Sequence, residues 1–173
     1  ELGFSTPRSE GMNALEAIVE YRFNDLNKII DKYDYFSDYP WFYRNLYEYL
    51  DKVYPNSLFI LTKRDESSWL KSNTRWFSDK KETQLIELHG SNKYPKLNHP
   101  ILKHIYGERN EWLYKYNKHN ESVVNYFKNR PKDFLLFDVF SGDGWDKLCD
   151  FLNVENPHPN EKFTWSNKQN YEE

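Results

Sequence analysis

The sequence predicts an α/β fold, a three-layer arrangement in which helices flank a mainly parallel sheet. Two observations carry that reading. First, three short apolar runs, at residues 2–5, 58–62 and 134–139, have the length of buried strands, and a weaker run covers residues 35–37. Second, the stretches between them repeat apolar residues at helical spacing, and strands that alternate with helices imply parallel neighbours covered on both faces. Ligands of such sheets bind beyond the carboxyl ends of the strands.

The first strand leads through a polar turn into a helix marked by Ala14, Leu15, Ile18 and Val19. A second helix carries Phe42, Leu46, Tyr49, Leu50 and Val53 and ends at the turn "YPNS", which introduces the strand at 58–62. A third helix starts at Asp65. From Ser78 to Pro100 the chain is polar and holds Gly90, Pro95 and Pro100. It reads as a long excursion, either a lid or an ordinary surface loop. The segment 101–127 is mostly helical, with Trp112, Leu113, Tyr116, Val123, Val124 and Phe127 as core positions. After the strand at 134–139, "SGDG" opens a last helix marked by Leu148, Phe151 and Leu152. The proline- and asparagine-rich tail beyond Asn153 wraps the surface. With no repeat or compositional break, residues 1–173 form a single domain in this reading.

Composition narrows the function classes. Mean hydropathy is low at -0.97, yet 18% of the residues are aromatic, so Tyr, Phe and Trp supply the core. A net charge of -3 and a pI near 6.0 speak against general nucleic-acid binding, and any anion site must be local. The one cysteine, Cys149, excludes an internal disulfide and reads as a buried thiol beside Leu148, Phe151 and Leu152. His89, His99 and His104 lack metal-site spacing, so no metal is assigned. No apolar run reaches membrane-spanning length and no signal peptide opens the chain, which makes a cytoplasmic protein the expectation. The abrupt opening "ELGFSTP" leaves room for a lost upstream segment.

The stretch "LFILTKRDESSWLKS", residues 58–72, carries the sharpest chemistry. A strand stops at Arg64 where a helix begins, so a two-pronged guanidinium and first-turn amides can meet one phosphate. A surface pair of Arg64 with Asp65 or Glu66 is the plainer reading of a lone arginine. In "FSTPRSEGMNAL" the residues by themselves describe a turn and a helix start, with Ser9 a fair N-cap.

The segment "YPNSLFILTKRDESSWLKS" resembles the small soluble members of the PAPS-dependent sulfotransferase family (PAPS is 3′-phosphoadenosine 5′-phosphosulfate). "KYDYFSDYP", "YNKHNESV", "LLFDVFSGDGWDKLCDFLNV", Pro157, Phe163 and Asn167 extend the resemblance over about residues 31–167. It implies a P-loop NTPase-like sulfotransferase fold in which Arg64 and Ser72, eight positions apart, hold the 3′-phosphate. The amino-terminal loop is similar to the family's phosphosulfate loop. The resemblance thus implies that Pro7, Arg8, Ser9, Gly11, Met12 and Asn13 cradle the 5′-phosphosulfate, with Arg8 near the family's lysine position. Glu10 departs from that pattern. The family's second phosphate grip, Arg-Lys-Gly, is absent, and Lys162, Lys168 and Arg130 stand as unselected substitutes.

Asp38 in "SDYP" corresponds to the family's general base. It reads equally well as the cap of a helix beginning near Pro40. His119, with Arg109 and Tyr116 on neighbouring turns, takes a substrate-side role by resemblance, though a lone helix histidine is commonly structural. The implied reaction moves a sulfuryl group from PAPS to a hydroxyl or amine of a small-molecule or glycan acceptor, releases PAP and needs no metal. No nucleic-acid partner or membrane span is expected, and the oligomeric state stays open. The alternatives are a relative that binds PAP or PAPS without turnover, an interaction protein, or a P-loop kinase. The last lacks its Gly-x-x-x-x-Gly-Lys-(Ser/Thr) signature.

Overall fold

A computed structural model describes residues 2–7, 10–38, 40–78 and 109–163. Two compact units make up the chain. One comprises Glu1–Pro55 and Glu66–His119, the other Asn56–Asp65 and Asn120–Glu173.

The first unit is built on a helical corner. Helix α1 (Gly11–Val19) and helix α2 (Phe23–Ile30) bury Ala14, Leu15, Ala17 and Ile18 together with Leu26, Ile29 and Ile30. The corner is closed by a Schellman motif, in which the Tyr21 N–H bonds to the Ile18 carbonyl at 3.2 Å and the Arg22 N–H to the Ala17 carbonyl at 2.8 Å. That motif puts Tyr21 at φ +57°, a left-handed conformation that costs a side-chain-bearing residue energy. Arg22 then locks the corner through Glu20 and Asp25, both at 2.7 Å. Helix α3 (Leu46–Val53) follows a 3-10 turn at Tyr43–Asn45 and joins the same core through Leu46. The Tyr49 hydroxyl donates to Asn27 at 2.8 Å and the Tyr54 hydroxyl to Asp31 at 2.9 Å, which ties the end of α3 to α2. Helix α2 was not foreseen from the sequence.

Two predicted strands are absent. Residues 2–5 and 35–37 form no ladder; the segments meet instead around Ser5 and Asp34. The Ser5 N–H and hydroxyl donate to one Asp34 carboxylate oxygen, at 3.1 and 2.7 Å, while the Ser5 carbonyl accepts the N–H groups of Asp34 and Tyr35 at 3.1 and 3.0 Å. The two segments therefore meet at a node.

In the second unit, β1 (Phe59–Thr62) and β2 (Phe134–Phe137) pair in parallel, Phe59 opposite Phe134 and Thr62 opposite Phe137. Among the described residues these are the strands of the sheet, so the α/β class and the parallel register stand while a larger sheet is not seen. Phe127, the last residue of helix α5 (Trp112–Phe127), is 1% exposed and sets its ring 4.8 Å from Phe59 and 5.2 Å from Phe134. Val139, expected in the strand, belongs to a 3-10 turn at Val139–Ser141. The closing helix α6 (Trp145–Leu152) buries Cys149, as expected, and burial pushes its thiol pKa up. It ends on Asn153 in a left-handed conformation with the Val154 N–H on the Cys149 carbonyl at 3.0 Å.

Helix α4 (Glu66–Ser78) follows β1 in sequence, one residue later than predicted at its start. Residues 79–100 of the predicted excursion, residues 101–108 and the tail from residue 164 lie outside the described residues. Val124, a predicted core position, is 39% exposed instead, and Phe42 (51%) and Val53 (40%), read as apolar markers of the second helix, also face solvent. Among the described residues no helix is long and apolar enough to cross a membrane.

Candidate functional site

Arg64 owes its place to the end of the strand pair. The ladder runs one residue past β1, with the Lys63 N–H on the Phe137 carbonyl at 2.9 Å, and Arg64 is the first residue beyond it. Because β1 and β2 are parallel, the turn after β2 rises at the same carboxyl edge. The Arg64 guanidinium carbon lies 4.4 Å from the ring centroid of Phe140 in that turn.

The turn is held by its own side chains. Asp138 accepts the N–H groups of Phe140 and Ser141 at 3.0 and 3.1 Å and the Ser141 hydroxyl at 2.8 Å. The Asp138 N–H donates to Asp143 at 2.7 Å, and the Lys147 ammonium bridges that carboxylate at 2.6 Å to the Leu136 carbonyl at 2.9 Å. The Asp138 N–H, and then Lys147, holds the Asp143 carboxyl below the usual carboxylate range. Gly142 completes the turn at φ +104°, open to glycine and strained for other residues. An arginine set on an aromatic ring beside a rigid turn is equipped to grip an oxyanion.

Ser72 is half-buried on α4, in the first unit, whereas Arg64 belongs to the second. Trp69, between them in sequence, stacks on Tyr116 with ring centroids 4.3 Å apart and planes 20° apart.

In the amino-terminal loop, Arg8 and Ser9 lie outside the described residues. Pro7 is buried and its carbonyl accepts the Glu10 N–H at 3.3 Å, so the loop turns directly into α1. Gly11, Met12 and Asn13 form the first turn of α1, whose N–H groups have no acceptor within the helix and favour an anion. Glu10 is not an uncompensated charge there. Its carboxylate accepts from the Asn13 amide at 3.3 Å and from the Lys32 ammonium at 3.2 Å, and those bonds hold its pKa below the usual range. Lys32 escaped the sequence reading because nothing local links positions 22 apart.

Asp38 stands at φ +57° and is exposed. Its carbonyl, not its carboxylate, accepts the Trp41 N–H at 2.9 Å, and no helix begins at Pro40. The capping alternative therefore lacks its hydrogen bond. The Ser5–Asp34 node ties the amino-terminal segment to the chain just before Asp38, so loop and carboxylate belong to one part of the first unit.

His119 packs edge-on to Tyr47, ring centroids 6.2 Å apart, and burial lowers its pKa. Arg109 opens a 3-10 turn at Arg109–Glu111. Of the substitutes for a second phosphate grip, Arg130 is engaged by Asp133 at 2.8 Å and lies over Phe127 at 5.0 Å. Lys162 is exposed, and Lys168 lies outside the described residues. Among the described residues no three His, Cys, Asp or Glu side chains group to hold a metal ion.

Compared with known proteins, residues 5–171 match the family model described as a sulfotransferase domain. No curated protein and no solved structure matches the chain. Since the matched span takes in the arginine strand, the amino-terminal loop and the closing helix alike, the chain belongs to the sulfotransferase domain family.

Proposed function

We propose that this chain is a PAPS-dependent sulfotransferase with a three-layer, P-loop NTPase-like fold, acting on a hydroxyl or amine of a small-molecule or glycan acceptor. The observation that carries the reading is Arg64, seated on Phe140 at the carboxyl edge of a parallel strand pair and followed by a helix bearing Ser72. Arg64 and Ser72 anchor the 3′-phosphate. Arg8 and the amides of Gly11, Met12 and Asn13 hold the phosphosulfate end, with Pro7 and Ser9 shaping the loop. The acceptor oxygen or nitrogen forms a bond to sulfur as the bond from sulfur to the phosphate oxygen breaks, and PAP departs. Asp38 takes the acceptor proton; its left-handed backbone and unbonded carboxylate support that role. His119 and Arg109 line the acceptor side. Catalysis of this kind is mostly positioning and charge stabilisation.

Calorimetric titration with PAP and ATP tests the assignment. PAP should bind far more tightly than ATP, and Arg64→Ala should weaken PAP roughly 100-fold, as for two charged hydrogen bonds at about 1.5 kcal/mol each. Equal affinity for PAP and ATP, or a silent Arg64→Ala, sinks the assignment. Asp38→Asn should abolish turnover of labelled PAPS with an acceptor panel while sparing PAP binding.

A second reading, a PAP-binding relative without turnover, draws on Glu10. A carboxylate at the start of α1, holding the Asn13 amide, competes with the donor's phosphosulfate. Tight PAP binding without turnover across the panel would select it.

A further inference from the structure

The turn "DVFSGDGWDK", residues 138–147, lies within a segment that carries the family resemblance, yet it has no role in the reaction as derived above. We propose that it is a positioning device, with Phe140 as its working residue: the ring holds the Arg64 guanidinium in the orientation that grips the 3′-phosphate. The inference rests on the assignment of Arg64 to that phosphate.

Phe140 is 45% exposed, and its ring lies under the Arg64 guanidinium. An arginine side chain has many rotamers, and a guanidinium resting 4.4 Å from a ring centroid loses part of that freedom before any ligand arrives. The backbone that carries the ring is held by a relay of bonds. Lys147 joins β2 to Asp143, Asp143 holds the Asp138 N–H, and Asp138 caps the N–H groups of Phe140 and Ser141. Every member of that relay lies in the second unit with Arg64. The "GDG" element is thus read as the brace of an arginine rather than as a ligand-contacting loop.

The test is a double-mutant cycle in the full chain, using Phe140→Leu, Phe140→Tyr, Arg64→Ala and the double variant, titrated with PAP and with 5′-AMP, which lacks the 3′-phosphate. Phe140→Leu should weaken PAP about 3- to 10-fold, the range of a partly exposed cation–π contact, and leave 5′-AMP unchanged. Phe140→Tyr should restore PAP binding, and Phe140→Leu should add nothing once Arg64 is alanine. A general loss of structure would move 5′-AMP as well, so that control separates positioning from packing. If Arg64→Ala weakens PAP while Phe140→Leu does not, the positioning role falls and the Arg64 assignment stands. If Phe140→Leu weakens PAP and 5′-AMP alike, with or without Arg64, the ring meets the nucleotide base and positioning is again overturned. If Arg64→Ala changes nothing, the assignment beneath the proposal fails and the proposal with it.

Discussion

Phe127 offers the sharpest test of how the strand pair is held. Its ring is 1% exposed and contacts Phe59 on β1 and Phe134 on β2, the residues that open the parallel ladder opposite each other. The ring pair with Phe134 is stacked at 4°, that with Phe59 tilted at 33°. Phe127→Leu keeps an apolar side chain but forfeits the ring contacts with Phe59 and Phe134, each worth about 0.5–1.5 kcal/mol beyond burial, and those with Tyr126 and the Arg130 guanidinium besides, so the loss should be at least about 1–3 kcal/mol. Phe127→Ala also leaves a cavity and should cost about 3–5 kcal/mol. Against a total stability of roughly 5–15 kcal/mol, urea denaturation followed by tryptophan fluorescence resolves both. Phe59 and Arg64 are about 16 Å apart along the strand direction at roughly 3.3 Å per residue, so folded Phe127→Leu should bind PAP as the native protein does. A loss below about 0.5 kcal/mol for leucine, or equal losses for leucine and alanine, refutes the ring-stack account. So does a PAP affinity that falls as far as in Arg64→Ala.

Three further outcomes are expected. Tyr21→Gly should raise the thermal midpoint and Tyr21→Val lower it, because the Schellman motif demands φ +57°, which glycine adopts freely and a β-branched residue resists; a valine variant as stable as the native chain contradicts that. Asp143, its pKa depressed below 3.8, contributes stability that is present above about pH 4 and lost as pH falls through the lower folded value; Asp143→Asn should flatten that acid limb in unfolding curves recorded from pH 2 to 6. His119, its pKa lowered from 6.5 by burial, favours the fold above pH 6.5 and loses that contribution as pH falls toward the folded value. Its ring proton in an NMR titration should therefore show a midpoint below 6.5, and a midpoint above it refutes the burial.

Legibility in the sequence followed locality. β1 was readable because four apolar residues and a threonine lie between a turn and a basic pair, and Asn56 at φ +73° supplies the turn. Helix α2 was missed because Asn24, Asp25, Asn27 and Lys28 hide Leu26, Ile29 and Ile30, although those three fall at helical spacing. The strand at 2–5 was overread: Gly3 at φ +79° interrupts an extended course, and Ser5 turns its bonds onto Asp34. Phe42 was read into the second helix by counting 3.6 residues per turn through a 3-10 segment and a left-handed Asn45, where that count slips. Val124 sits one residue from Val123, and adjacent helix positions do not share a face.

The site divides along the same line. Arg64 could be singled out because strand, charge and helix start are contiguous. What Arg64 packs against is remote in sequence. The ring beneath Arg64 comes from the turn after the neighbouring strand, a pairing that only the parallel register of β1 and β2 creates. Glu10 shows the converse. Read locally it opposes an anion at the start of α1; in the folded chain Lys32 meets it at 3.2 Å. Near the head of α1, the pair Glu10–Lys32 cancels. An anion approaching the first-turn amides of α1 then meets a site whose sign is set by an ion pair the sequence does not advertise. Local motifs named the groups that can bind, and tertiary pairing decided which of their charges count.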